Sequence, residues 1–524
     1  MKAVFLLFDS LCRDALGCYG GRIPTPNFDR LAAKGVTFDS HYVGSLPCMP
    51  ARRDLQTGRL GFMHRSWGPL EPFDDSFPEL LTKGGVYSHL STDHYHYFED
   101  GGSTYHNRYT TYDFIRGQEG DAWVPKVAPP IAEYRNNYHA LQFEETRKGH
   151  RLQGLINRER IVKEEDFPCV RTFDAGLNFL RGNGAEKNWL LQLETFDPHE
   201  PFLAPARHRS KFPTSYQGPI LDWPRYKAAD TTPEETDEIR ANYAALILLC
   251  DEQLGRLLDE FDVNDRWDDT AIVMTTDHGF MLGEHGWWGK NQMPFFNDIA
   301  NIPLIIYHPD AAHRAGTRIT ALTQTIDIMP TLLEIFDQPI PTDVTGRSIL
   351  PLMRGETDNI RDVAIFGIYG GAVNATDGQH TYFRYPDHME TTGMYEYTLM
   401  PVHNYNMFEP RELEAAELHP GFRFTKNVPV LKIPAVPDAK RSPRQGGFYD
   451  TETRLFDLAT DREQSAPFRD VGTEERFCQL IAREMDLHDA PPELYARWKV
   501  TSSRQQTKPS GTLVEPDQDN RRNA

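Results

Sequence analysis

Four short apolar runs in this 524-residue chain each end in polar punctuation, and that repeated ending most constrains its fold. Lys2–Phe8 runs into Asp9, and Asn188–Glu194 into Thr195-Phe196-Asp197-Pro198-His199. Thr270–Thr276 runs into Asp277-His278-Gly279, and Pro303–Tyr307 into His308-Pro309-Asp310. Short apolar runs bounded by turn formers read as strands buried on both faces. Helical patterns separate them. Thr25 and Pro26 open a helix that Gly35 closes. Ile239, Tyr243, Leu246, Ile247, Cys250, Leu254, Leu257, Leu258 and Phe261 recur at helical spacing behind Pro233. Such alternation predicts an α/β chain, a large mainly parallel sheet sandwiched by helices. Ligands of such sheets bind beyond the carboxyl ends of the strands, where the polar residues fall here.

Charge narrows the function. The formal charge is −20, which argues against general nucleic-acid binding and anionic membranes, so an anionic substrate needs a locally positive pocket. No apolar run approaches the roughly 20 residues of a membrane span. The N-terminal run lacks a small-residue cleavage site, so a cytoplasmic location is expected. Cys12, Cys18, Cys48, Cys169, Cys250 and Cys478 show no paired framework and read as reduced.

Chemistry-bearing residues gather in five places. In Cys48-Met49-Pro50-Ala51-Arg52 the cysteine precedes a proline-opened helix closed by Gly58. Orphan N–H groups and the helix dipole favour an anion there, and Arg52 falls one turn later on the same face. Asp9 with Asp277 and His278 offers carboxylates and an imidazole to a divalent cation. The glycine-spaced stretch Gly283–Gly289 delivers Lys290, a point charge suited to an anion. His199 sits on a proline-stiffened loop, placed to serve an oxyanion or leaving group. His94 and His96, two apart, would share one face of a strand. Taken singly, each has a plainer reading: a capping cysteine, solvated strand-end turns, an exposed lysine, a turn, a solvated histidine pair. Trp287 and Trp288 read as loop packing.

Taken together, Cys-x-Pro-x-Arg with the trailing Leu-x-Thr-Gly resembles the signature of the formylglycine-dependent type I sulfatases of the alkaline phosphatase superfamily. Features are similar to the choline sulfatase and phosphonate monoester hydrolase branches. Ala51 stands where the family usually has serine, and Ser10 where it has a second aspartate. His278 stands where asparagine is frequent, and His94 where the family has the lysine of Lys-x-His. The resemblance continues through Thr325–Thr331, Gly346–Leu350 and Leu455–Leu458, and covers most of residues 1–470. It leaves the insertion at 97–167 and the tail unplaced.

The resemblance implies a catalytic domain over 1–385, a smaller C-terminal α+β subdomain over 386–500 and a polar tail over 501–524. It implies that a formylglycine-generating enzyme converts Cys48, whose hydrated aldehyde attacks sulfur. One divalent ion (calcium, manganese or magnesium) would be held by Asp9, Cys48, Asp277 and His278. Arg52 would hold the nucleophile, Lys290 would stabilise the transferring group, and His199 or Lys290 would protonate the leaving alcohol. His96 would then remove a proton to release sulfate. The substrate is expected to be a small anionic ester, a sulfate monoester ahead of a phosphonate monoester or phosphodiester. A non-catalytic anion-binding protein is the remaining alternative. Cys48 is expected to face solvent, and residues 386–447 to form surface excursions. Gly446–Leu458 reads as a strand and Glu474–Met485 as a helix. The tail from Thr501 lacks hydrophobic periodicity and is a candidate contact in a homo-oligomer.

Overall fold

The computed structural model describes residues 1–145, 149–389, 393–435 and 451–502. Its centre is an eight-stranded sheet. In spatial order the strands are Arg318–Ile319, Val36–Phe38, Leu304–Tyr307, Thr270–Thr276, Lys2–Phe8, Trp189–Thr195, Tyr87–Thr92 and Thr111–Phe114. Leu304–Tyr307 runs antiparallel to both its neighbours; the other pairs are parallel, so the sheet is mainly parallel as expected. The three central strands share one register: Phe8 is level with Thr195 on one side and Thr276 on the other.

These strands are apolar throughout because helices cover both faces. Val4, Leu6 and Phe8 pack into one core with helices Pro26–Lys34, Pro168–Asn183 and Pro233–Val263. Ala3, Phe5 and Leu7 point the other way, towards helices Cys48–Thr57, Phe77–Lys83 and Ile328–Ile335. The long helix starts at a reciprocal cap. Thr232 Oγ1 accepts from Glu235 N–H at 3.2 Å, and Glu235 accepts from Thr232 N–H at 2.9 Å. Thr25 does not cap its helix. Its hydroxyl accepts from Gly17 N–H instead, and Asp251 takes the free N–H groups of Asn27 and Phe28.

A four-stranded antiparallel sheet follows, drawing Ala364–Gly367, Val373–Thr376 and His380–Arg384 from one side of residue 385 and Arg454–Asp457 from the other. Helix Val471–Leu487 packs on it. The expected strand from Gly446 begins, among described residues, only at Arg454. The segment read as surface excursions is packed in part: Tyr395–Thr398, Val430–Pro434 and the mostly exposed Glu417–His419 form a sheet. Tyr397, Phe424 and Val430 bury against Phe73. The cause is polar as well as apolar, since Glu71 accepts the Leu399 N–H at 2.9 Å and pairs with buried Arg65. Residues 390–392, 436–450 and the tail from 503 lie outside the described residues. Among those described, no helix is long and apolar enough to cross a membrane.

Candidate active site

The register of the central strands assembles the site. Phe8 and Thr276 are level, so Asp9 and Asp277 emerge side by side at the carboxyl edge. Trp189–Thr195 lies next, level through Phe8 and Thr195, and carries Glu194 one residue before its end. Tyr87–Thr92 follows and leads into Asp93 and His94. Ser10 takes φ 61°, a left-handed conformation for a non-glycine residue. That turn aims its N–H at Asp277 Oδ1 (3.1 Å), while its hydroxyl donates to Asp9 Oδ1 (2.8 Å).

Helix Cys48–Thr57 starts at the cysteine itself, after Pro47, and Pro50 is its third residue rather than its opener. Asp54 anchors the helix by accepting from Ser45 N–H, Ser45 Oγ and Gly61 N–H. Burial still pushes that carboxyl up to about 7. Gly58 ends the helix at φ 64°, the left-handed cap glycine adopts freely. One turn in, Arg52 is no surface cation. Its Nε donates to Glu194 (2.7 Å), Nη1 to Asp277 Oδ2 (2.7 Å) and Nη2 to Asp9 Oδ2 (3.0 Å), all fully buried. Burial alone would raise the Asp9 carboxyl, but Lys290 and then Arg52 outweigh it and hold it well below the usual range.

Cys48 does not face solvent. It is 2 % exposed, packed in the second core, with Sγ 3.3 Å from His278 Nε2. Burial, then Asp9, raises its thiol well above the ordinary value. His278 Nδ1 lies 2.9 Å from Gly279 O, so that nitrogen carries the proton and Nε2 keeps a lone pair. Burial lowers the His278 pKa, which keeps the ring neutral. Ligand atoms of Asp9, Cys48, Asp277 and His278 lie within 4.8 Å of one another. Two carboxylates, a neutral imidazole nitrogen and residue 48 thus form a donor set that fits one divalent cation. Lys290 follows the short strand Trp287–Gly289, buried rather than loose, and donates to Ser10 Oγ at 3.0 Å. Its Nζ is 3.6 Å from Asp9 Oδ1. Trp287 and Trp288 are packed, as read from the sequence.

The histidines are arranged differently from the expectation. The strand ends at Thr92, and His94 leads into a turn of 3₁₀ helix over Tyr95–Phe98, so His94 and His96 do not share a strand face. They still meet, ring centres 5.2 Å apart. His94 is 0 % exposed, and neither ring nitrogen has a hydrogen-bond partner; Asp9 Oδ2 is 3.9 Å from Nδ1. Burial, then Arg52, pushes its pKa well down, so the ring is neutral. His96 Nδ1 bonds Glu99 at 2.8 Å and packs against Trp67 and Tyr405. His199 stands on the loop after Trp189–Thr195, with Nδ1 bonded to Glu200 O. Two residues of this wall carried no motif: Glu119, from the unplaced insertion, lies within 4.8 Å of His199 and Glu200; Tyr405 comes from the C-terminal half. Glu194 had a signal that went unused, a lone carboxylate inside an apolar strand.

Comparisons with known proteins give the family and the fold. The sequence model of the family described as Sulfatase matches residues 2–338, and that described as N-sulphoglucosamine sulphohydrolase, C-terminal, matches 283–411. An N-acetylglucosamine-6-O-sulfatase of Bacteroides thetaiotaomicron is 25% identical over 401 residues, 67% of this chain and 71% of that protein. A choline-sulfatase of Rhizobium meliloti is 27% identical over 353 residues, 63% of this chain and 67% of its own. The phosphonate monoester hydrolase of Agrobacterium radiobacter has the same fold, with TM-score 0.63 and 20% identity over 93% of this chain and 95% of that one. A protein solved in complex with its substrate D-glucosamine-2-N,6-O-disulfate gives TM-score 0.64 and 17% identity over 94% and 98% of the two chains. With the Sulfatase match spanning well over half of its length, the chain belongs to the sulfatase family of the alkaline phosphatase superfamily and is a sulfuric ester hydrolase.

Proposed function

We propose that this enzyme cleaves a sulfate monoester at residue 48, with Cys48 converted to formylglycine and one divalent ion on Asp9, residue 48, Asp277 and His278. The observation that carries the reading is the setting of residue 48: it is buried at the first position of its helix, Arg52 follows one turn later, and ligand atoms of Asp9, Asp277 and His278 lie within 4.8 Å of its Sγ. A group converted at that position stands against the donor set and at a helix N-terminus that favours an anion. When bound, the ion supplies Lewis-acid chemistry and the converted residue supplies the attacking oxygen.

The chain's own residues supply the rest. Arg52 fixes the orientation of Asp9 and Asp277, and with Lys290 brings two cations against Asp9, Glu194 and Asp277. That leaves one net negative charge. A divalent ion turns it into one net positive charge, which matches a monoanionic ester. Lys290 donates to the oxygens of the transferring group, and His199 turns Nε2 to the leaving oxygen. His96, held by Glu99, takes the proton of the release step. An imidazole among the donors weakens the case for calcium and leaves manganese or magnesium open. The match to N-sulphoglucosamine sulphohydrolase and the N-acetylglucosamine-6-O-sulfatase relative support a sulfated amino sugar as the first substrate to try. His278, Ala51 and the Agrobacterium neighbour favour a phosphonate monoester as the second reading.

Two measurements test this. Mass spectrometry of the Cys48 peptide is expected to show formylglycine in active protein; a homogeneous free thiol with full activity sinks the nucleophile. One aryl leaving group, presented as sulfate, methylphosphonate and phosphodiester, is expected to give the highest kcat/KM as sulfate. A phosphonate value well above it reverses the substrate order.

A further inference from the structure

We propose that Glu200 is the positioning residue that makes His199 a proton donor to the departing alcohol. The inference rests on the sulfate ester reading above and deepens it. His199 and Glu200 are consecutive, and both are almost fully buried. The ring's Nδ1 bonds to Glu200 O and lies 3.2 Å from Glu200 Oε2. Nδ1 therefore carries a proton directed at Glu200, and Nε2 is the ring atom left for substrate. Glu200 Oε1 is held by the Tyr226 hydroxyl, whereas Oε2 has no hydrogen-bond partner beyond that approach to His199. A buried carboxylate oxygen 3.2 Å from an imidazole N–H is arranged to stabilise the imidazolium.

Other charged groups frame the pair. Lys290, Arg151 and Glu119 face Glu200, Glu119 opposing its charge, while Glu119 and Asp9 also face His199. Lys290 opposes charge on the ring; Glu119 and Asp9 favour it. Burial lowers the His199 pKa to about 3 and raises Glu200 to about 7, so each is driven towards its neutral form, and the 3.2 Å approach of Nδ1 to Oε2 is what offers the ring a carboxylate when it is charged. In the charged form Nδ1–H faces the carboxylate and Nε2–H faces the ester oxygen. As the S–O bond breaks, the Nε2 proton passes to the leaving oxygen and an O–H bond forms. The ring is left neutral, still holding its Nδ1 proton against Glu200, and a proton from bulk water recharges it. Glu200 touches neither sulfur nor the leaving oxygen.

The assignment predicts sensitivity to the leaving group, because a phenol that leaves as a stable anion needs little proton transfer. The holoenzyme and Glu200→Gln are compared on phenyl sulfate and 4-nitrophenyl sulfate. The substitution is expected to lower kcat/KM for phenyl sulfate about 10- to 100-fold further than for 4-nitrophenyl sulfate. It should also move the alkaline limb of the phenyl sulfate pH profile to lower pH. Glu200→Asp should restore part of both. Equal losses on the two esters with an unmoved pH limb overturn the proposal, as does a second equivalent of manganese bound by the wild type and lost in Glu200→Gln. If the wild type turns over neither sulfate, the sulfate reading fails, and the same two phenols as methylphosphonate esters test the pair on its own. Nitrogen-15 NMR of His199 needs no turnover: an Nδ1 proton resonance unchanged in Glu200→Gln also refutes the pairing.

Discussion

On the nucleophile side of this site, every nitrogen of Arg52 meets a carboxylate, and Asp9 and Asp277 are held from both oxygens. Along the histidine wall beside it, both nitrogens of His94, Glu200 Oε2 and Trp67 Nε1 are buried without a hydrogen-bond partner. The first side is complete in itself; the second keeps open valences, of a kind that native structures rarely leave without a reason. The difference teaches where each function resides. A satisfied network holds geometry and resists change, and unpartnered groups beside it have bonds left to offer a ligand.

Breaking the satisfied side should cost most. Arg52→Met strands three buried carboxylates, and a loss of roughly 3–5 kcal/mol is expected, together with all turnover. A thermal shift assay checks the first, and an unshifted melting point would show that the network is not what holds this side. Next comes Asp277→Asn, which keeps the shape but removes a charge from the donor set. Bound metal by mass spectrometry and kcat should fall together, the latter ~100-fold or more.

His94→Phe sharpens the comparison from the other side. Removing two orphaned nitrogens should leave stability unchanged or raise it by about 1 kcal/mol, while kcat/KM falls about tenfold. An active, equally stable variant would mean that His94 is only filler. The smallest effect is one of pH. The Asp54 carboxyl is raised to about 7 from an ordinary 3.8, so its contribution is full below about pH 4 and is lost as pH rises through 7. Asp54→Asn should therefore flatten the fall in melting temperature between pH 5 and 8, by the equivalent of about 2 kcal/mol. An unchanged slope would mean that Ser45 and Gly61 already solvate the carboxylate.

The same division decides what could be read in the sequence. Asp9, Asp277 and His278 close apolar strands, and strand ends on one parallel sheet converge wherever they lie along the chain. Cys48 and Arg52 share one helix turn, so their spacing alone puts them on one face. Those five positions were legible for that reason. Glu119 and Tyr405 belong to segments with no hydrophobic period and no motif, and only tertiary packing brings them in. Cys48 reads as open because a helix N-terminus beyond a sheet edge looks exposed in the sequence, whereas His278 and the second core close against it. His94 and His96 were placed on a strand because period-two spacing says nothing about where a strand stops. Thr25 was named a cap from residue type, but Asp251 from the long helix took that work.

The network around Arg52 also sets an order in time. Its partners emerge from the ribosome far apart: Asp9 before it, Glu194 long after it, and Asp277 last of all. At the ~5–20 residues per second of synthesis, Asp277 follows Cys48 by roughly 10–45 s. Until then the strand that completes the central register is missing, and residue 48 cannot be sealed beneath it. If Cys48 is converted as proposed, the converting enzyme would work against a clock set by translation, and a synonymous codon change that slows residues 60–270 should raise the converted fraction seen by mass spectrometry.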